Sequence, residues 1–151
     1  MTEKKSAIKH IIDACFYSYS GIKSAYESEI AFRQDILICT ALFIFALILP
    51  VPFIYKLVMI MSLFIILIAE LINTAIEAVV DLVTEEYHPL AKVAKDTSAA
   101  AVLVFAIVAI IVGGYILYLK VEETLKPYKD LIKTTDKVNN GINSVKDLFK
   151  K

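Results

Sequence analysis

Residues 69–81 read AELINTAIEAVVD, an apolar stretch that three acidic side chains and one amide interrupt. Glu70, Asn73, Glu77 and Asp81 are spaced three, four and four residues apart. Because each residue of an α-helix advances by about 100°, this spacing predicts one polar stripe along an otherwise apolar helix. The stripe needs a cation, a proton or water as its partner, unless it lies outside the bilayer and is merely solvated.

Three uncharged runs predict that the chain crosses a membrane. Residues 57–69 lead into the stripe, so this helix has an apolar outer half and a carboxylate-bearing inner half. Residues 36–55 and 97–119 are also uncharged, and about 20 apolar residues cross a bilayer core as a helix. A soluble helix bundle is the alternative, but 151 residues offer too little polar surface to cover three such runs. We therefore predict an all-α integral membrane protein with three transmembrane helices.

Prolines predict where these helices begin and end. Pro50 and Pro52 predict the end of the first span, and the short turn returns the second span antiparallel to it. The second span is predicted to end near Val83, where a polar segment follows. Pro89 suits the first turn of the next helix.

The N-terminal segment differs from the three spans. Residues 6–30 repeat apolar side chains at helical spacing, which predicts an amphipathic helix in the membrane interface. A helix that packs on another subunit is the alternative, and Gly21 predicts a bend between two shorter helices. No apolar stretch typical of a secretory signal peptide is visible here. Cys15 and Cys39 lack the spacing of a disulfide framework or metal site.

The distribution of positive charge predicts the orientation. Five Lys or Arg residues precede residue 34 and two lie in 83–96, which places both segments in the cytoplasm. Three spans then put residues 120–151 outside, although the eight lysines and five acidic residues of this tail argue against that side. Its apolar residues repeat every three or four positions, and this repeat is broken near 139–141. An amphipathic surface helix, a short coiled coil and a solvated tail all fit this pattern.

The stripe suits a divalent cation that carries phosphates. Magnesium prefers oxygen ligands and often uses one or two carboxylates together with substrate phosphates. The sequence contains neither a Gly-x-x-x-x-Gly-Lys phosphate loop nor the signatures of soluble protein kinases. If the chain handles a nucleotide, its side chains and a metal must therefore hold the phosphates.

Five motifs extend beyond the stripe: EIAFRQD at 29–35, ELINTAIE at 70–77, VD at 80–81, EYHPL at 86–90, and AKD at 94–96 followed by AAAV at 99–102. With them the chain resembles the small prokaryotic diacylglycerol kinase family, which includes undecaprenol kinases. The resemblance covers about residues 8–119, which predicts a membrane domain at 1–119 and a C-terminal helical extension at 120–151. The family's usual short form has no counterpart of that extension.

The resemblance implies a homotrimeric bundle of three-span protomers, each with an N-terminal surface helix, in the bacterial inner membrane. Each active site would be shared between neighbouring protomers on the cytoplasmic side. The implied reaction transfers the γ-phosphoryl group of magnesium-ATP to a lipid hydroxyl, in phospholipid recycling. The expected partners are a membrane lipid, ATP and further copies of the chain, and no nucleic acid.

The resemblance also implies roles for individual residues. Glu70 resembles the general base, Glu29 and Glu77 resemble the metal ligands, and Glu70 and Ala99 are expected on the lipid-substrate side. The residues that resemble the family's nucleotide or phosphate side are Tyr17, Asn73, Glu77, Asp81, Glu86, His88, Lys95 and Asp96. Three alternatives remain open: Lys95 as an interfacial anchor, His88 as a cap or turn residue, and Tyr17 as a core residue.

The sequence combines features of two acceptor types, those for diacylglycerol and those for undecaprenol. Diacylglycerol-type members often read GSAAV after AKD-x, whereas here alanine replaces that serine, as in undecaprenol kinases, which also tend toward HPLAK as at 88–92. In contrast, FRQD at 32–35 resembles the diacylglycerol type. We expect a diacylglycerol kinase that makes phosphatidic acid, with an undecaprenol kinase that makes undecaprenyl phosphate as the alternative. Two other classes are a proton- or cation-conducting protein and a structural adaptor that uses its tail.

Overall fold

The fold is entirely helical over the part of the chain that the structure describes. A computed structural model describes the backbone of residues 2–148 and the side chains of 8–143 and 146. It contains four helices and, in that range, no strand: α1 (Thr2–Ser28), α2 (Ile30–Ile48), α3 (Phe53–Val83) and α4 (Pro89–Leu148). The all-α prediction is confirmed.

The prolines end and begin helices where the sequence predicted. After α2 ends at Ile48, the amide of Leu49 still donates to the carbonyl of Phe45 at 3.0 Å. Pro52 then precedes α3, and its carbonyl accepts from the amide of Tyr55 at 3.0 Å. α3 ends at Val83, and α4 starts at Pro89. Proline suits the first turn of a helix because backbone amides there have no partner within the helix, so the amide hydrogen that proline lacks is not missed.

Three of the helices are long and apolar enough to cross a membrane. They are Ile30–Ile48, Phe53–Val83 and Pro89–Asn143. Large apolar side chains are exposed on each of them; Leu37 on α2 and Ile110 on α4, for example, are both 72 % exposed. Such exposure suits a lipid environment, where apolar surface has no water to avoid.

The helices contact one another through small and medium-sized side chains. Cys39 on α2 forms a buried cluster with Leu63 and Ile66 on α3, and Ala106 and Ala109 on α4 pack against it. Small residues let the backbones of membrane helices approach closely, and dispersion then supplies the attraction. This cluster lies in the apolar half of α3, before the polar stripe.

One sequence-based prediction is wrong. α1 continues through Gly21 without a break, because one glycine costs a helix only about 1 kcal/mol relative to alanine. α4 is continuous through 139–141, where the apolar repeat is broken, and it contains Pro127 in its interior. The tail is therefore one helix up to Leu148, with no interruption at the Asn-Asn-Gly sequence.

The chain divides into two compact units, one ending at Val112 and the next beginning at Gly113. The first unit contains α1, α2, α3 and the start of α4. All candidate site residues lie in this first unit. The predicted boundary at 119/120 stays a prediction.

Candidate active site

Glu29 separates α1 from α2. Its backbone is extended, with φ −106° and ψ 123°, yet its amide donates to the carbonyl of Ala25 at 2.9 Å. Its carbonyl in turn accepts from the amide of Arg33 at 3.4 Å. The Glu29 side chain makes no capping hydrogen bond to α2. Its half-buried carboxylate is therefore available to another partner.

The polar stripe of α3 changes from buried to exposed along its length. Glu70 is 4 % exposed and Asn73 is 7 % exposed, whereas Glu77 is half-buried and Asp81 is exposed. The Asn73 side-chain amide donates to Oε1 of Glu77 at 2.9 Å. This hydrogen bond orients the Glu77 carboxylate, one turn further along the helix from Asn73.

Two buried oxygens beside this hydrogen bond have no hydrogen-bond partner among the described residues. They are Oδ1 of Asn73 and Oγ1 of Thr74. An unsatisfied buried polar group costs about 1–3 kcal/mol, so such groups are rare unless a ligand or another chain completes them. The site therefore has polar capacity that this single chain does not use.

Several carboxylates lie near Glu70. Asp35 on α2, Glu77 on α3 and Glu29 between α1 and α2 are all close enough to act on Glu70 electrostatically. Glu70 itself accepts no hydrogen bond from the described residues. Carboxylates that share a partly dry site repel one another, so this cluster favours a bound cation or a proton.

Lys95 supplies positive charge at the edge of the cluster. Its ammonium donates to Oδ1 of Asp81 at 2.5 Å, which joins the start of α4 to the end of α3. Glu77 and Glu29 also act on Lys95 electrostatically. An exposed ion pair contributes little to stability, so the main consequence of this pair is the position of the ammonium group.

In the part of the chain that the structure describes, the other predicted site residues make no hydrogen bond or ion pair with the carboxylate cluster. Tyr17 is 76 % exposed on α1, so it is not a core residue. Nδ1 of His88 accepts from the amide of Leu90 at 3.2 Å, as its alternative role in a turn implied. Asp96 pairs with Lys92 at 3.1 Å.

Glu86 and Ala99 are also exposed. The Glu86 backbone closes a turn with the hydroxyl of Thr84, since its amide donates to Oγ1 at 3.2 Å. Ala99 lies on the exposed surface of α4, next to the buried Ser98. Both positions leave their side chains free to meet a ligand or another chain.

The donor set fits a metal that arrives with phosphates, rather than a metal held by the protein alone. Among the described residues, no three His, Cys, Asp or Glu side chains form a group that could hold a metal ion. Two carboxylates, Glu29 and Glu77, both lie near Glu70. One or two carboxylates plus substrate phosphates are typical of magnesium sites.

Asp35 is a site residue to which sequence reasoning assigned no role. It ends the motif at 29–35 and is the last charged residue before the uncharged run at 36–55, but neither feature indicates a role for it. Its distance from Glu70 depends on how α2 packs on α3, which periodicity does not predict. The unpaired Thr74 hydroxyl was missed for the same reason.

The sequence is similar to known proteins of one family. The model of the family described as prokaryotic diacylglycerol kinase matches residues 16–117. The diacylglycerol kinase of Escherichia coli (strain K12) is 38 % identical over 118 residues, which cover 78 % of this chain and 97 % of that protein. The Helicobacter pylori (strain 26695) enzyme is 39 % identical over 120 residues, covering 78 % and 94 %. The Haemophilus influenzae enzyme is 34 % identical over 116 residues, covering 76 % and 98 %.

Proposed function

The chain belongs to the prokaryotic diacylglycerol kinase family, and from this premise we propose that it phosphorylates diacylglycerol with ATP to give phosphatidic acid. Membership makes the chain a lipid kinase, and the compared relatives are named for diacylglycerol. One observation carries the proposal: Glu70 is buried in a membrane-spanning helix, within reach of the charges of Glu29, Asp35 and Glu77.

Glu70 is the general base in this reaction. The lipid hydroxyl oxygen attacks the γ-phosphorus of ATP, while the bond from that phosphorus to the bridging oxygen breaks and ADP leaves. Glu70 accepts the hydroxyl proton. Its burial and its lack of a hydrogen-bond donor support this role, because a base must have a free oxygen to reach the acceptor. Ala99, on the exposed face of α4, contributes to the lipid side.

Glu29 and Glu77 hold magnesium together with the phosphates of ATP. When bound, the metal would neutralise the charge that develops on the transferring phosphoryl group. Asn73 orients Glu77 through the 2.9 Å hydrogen bond, which keeps one carboxylate oxygen in a fixed position. A fixed donor set matters here because phosphoryl transfer depends mainly on positioning and charge neutralisation.

Lys95 binds the phosphates from the exposed end of the stripe, where Asp81 holds its ammonium group. Asp96, Glu86, His88 and Tyr17 form the outer part of the nucleotide site. These four side chains contact no residue of the cluster through the hydrogen bonds and ion pairs of the described chain. They therefore meet the nucleotide from the protein surface or from a neighbouring protomer.

The protein works as a homotrimer in the bacterial inner membrane, with its site on the cytoplasmic side. The exposed side chains of Tyr17, Glu86 and Asp96, which make no hydrogen bond or ion pair with the cluster, support a site that a neighbouring copy completes. α1 lies in the membrane interface as an amphipathic surface helix, which its exposed apolar side chains support, among them Ile11 and Phe16. The charge distribution of the first 33 residues supports the cytoplasmic assignment.

The decisive experiment measures the acceptor directly. Purified protein in mixed micelles is given ATP labelled at the γ-phosphate, with either diacylglycerol or undecaprenol as the only lipid alcohol. We expect label in phosphatidic acid, and at least 100-fold slower labelling of it when Glu70→Gln is used. Transfer to undecaprenol alone would contradict the diacylglycerol assignment while leaving the base intact. No transfer to either lipid would overturn the proposal.

A further inference from the structure

The C-terminal part of α4 carries an apolar stripe without a partner in the described chain. It lies beyond residue 117, where the family match ends. Val121, Tyr128 and Ile142 are 56 %, 63 % and 47 % exposed. With Thr135 they form a column in which every member follows the last by seven residues. We call this column and the apolar residues beside it the tail stripe.

The seven-residue period identifies the kind of surface that the tail stripe fits. On a straight helix of 3.6 residues per turn, a seven-residue repeat drifts by about 20° per heptad, or about 60° over three heptads. Such a column cannot stay in contact with a flat surface along its whole length. It does stay in contact with another helix when the two helices supercoil.

The neighbouring columns have the same period. At intervals of seven residues, Leu125 is followed by Ile132 and Asn139, and Leu131 is followed by Val138. The four apolar members are exposed. A single asparagine at a core position of a coiled coil fixes register and strand number, at some cost in stability. The columns together are wide enough to meet more than one neighbouring helix.

The lysines of this segment argue against a lipid surface as the partner. By helical geometry, Lys126, Lys129, Lys133 and Lys137 lie roughly 120–170° from the middle of the tail stripe. A helix that lies on a bilayer has its lysines at the edges of its apolar face, where they reach the lipid phosphates. Here they would point into water, as they do on the outside of a coiled coil.

We infer that residues 121–142 form a parallel coiled coil with the same segment of other copies of this chain. Because α4 crosses the membrane in the same direction in every copy, the segments emerge on one side and in register. The inference goes beyond the kinase reaction, and of the proposed function it rests only on the homotrimer.

The size of the tail stripe explains why it needs that oligomer. Twenty-two helical residues span about 33 Å, and a width of about 10 Å gives about 300 Å² per chain. A standard interface buries about 800 Å² per partner, so the stripe would not hold free chains together. Copies joined within the membrane keep their tails at millimolar effective concentration, at which a weak coiled coil forms.

Two adjacent threonines provide a matched test. The hydroxyl of Thr134 donates to the carbonyl of Asp130 at 2.9 Å, and that of Thr135 donates to the carbonyl of Leu131 at 3.0 Å. Both side chains are exposed, but only Thr135 belongs to the tail stripe. Thr135→Cys and Thr134→Cys are therefore equally mild changes, on different faces of one helix.

Each cysteine is introduced into the full chain after Cys15 and Cys39 are replaced by serine and alanine. The variants are oxidised with copper phenanthroline in detergent micelles, and disulfide-linked dimers are followed on non-reducing gels. We expect the dimer to form at least tenfold faster with Thr135→Cys than with Thr134→Cys. Equal rates, or no dimer with Thr135→Cys, would overturn the inference.

The remaining outcomes are separated by two measurements on the same samples. If Thr135→Cys forms no disulfide but phosphatidylglycerol vesicles shield it from a water-soluble maleimide, the tail stripe binds lipid and the inference is wrong. The mass of the protein in micelles reports the homotrimer independently. A trimer without the cross-link contradicts only the coiled coil, whereas a monomer contradicts both the coiled coil and the proposed trimer.

Discussion

Replacing Asn73 with alanine tests how the polar stripe is held in position. The side-chain amide of Asn73 donates to Oε1 of Glu77 at 2.9 Å, and Asn73 itself is 7 % exposed. A hydrogen bond to a charged group contributes about 1.5–3 kcal/mol. At about 1.4 kcal/mol per factor of ten, loss of this hydrogen bond corresponds to about a 10- to 100-fold lower affinity for magnesium-ATP.

The assay is the rate of phosphatidic acid formation in mixed micelles, with magnesium-ATP varied at saturating diacylglycerol. We expect Asn73→Ala to raise the KM for magnesium-ATP by about 10- to 100-fold, with partial recovery at high magnesium concentration. Asn143→Ala, on the exposed surface of the tail, serves as the matched control and should leave KM unchanged. An unchanged KM for Asn73→Ala, or a fall in kcat alone, would refute the assignment of Glu77 to the metal-nucleotide side.

Three further outcomes are expected. Lys95→Met should lower kcat/KM for magnesium-ATP by about 10- to 100-fold, because in the proposed site the ammonium held by Asp81 contacts phosphate. Lys92→Met, which removes the partner of Asp96, should change kcat/KM less than threefold, and equal losses in the two variants would contradict the proposed role of Lys95. Gly21→Ala should stabilise α1 by about 0.5–1 kcal/mol and so raise the Tm in detergent, because nothing lies within 4 Å of the added Cβ. A lower Tm for this variant would contradict the expected stabilisation. Deletion of residues 120–151 should retain kinase activity within about twofold, and an inactive but trimeric variant would make the tail part of the site.

The helix ends and the polar stripe were predictable because each depends on local chemistry. Pro50, Pro52 and Pro89 restrict the backbone directly, and the observed end of α2 and the starts of α3 and α4 agree with their positions. The spacing of Glu70 and Asn73 places both on one face of any regular helix. Their burial agrees with a stripe that faces other helices rather than solvent.

Other features were not predictable because they depend on packing or on a balance of small energies. Asp35 approaches Glu70 only through the contact between α2 and α3, which no sequence period specifies. Gly21 and the Asn-Asn-Gly sequence at 139–141 weaken a helix by amounts that neighbouring residues compensate, so α1 and α4 continue through them. The acceptor lipid depends on the three-dimensional shape of the lipid site, which no sequence period specifies.

The central claim is that Glu70 removes the proton of the lipid hydroxyl. Glu70→Gln keeps the size of the side chain and removes its basicity, and the test combines two measurements on this variant: binding of magnesium-ATP and transfer of labelled phosphate to diacylglycerol. The account predicts that binding stays within about threefold of the unchanged protein, while transfer falls by at least 100-fold, the lower end of the effect of a general base. Normal transfer by Glu70→Gln would contradict it.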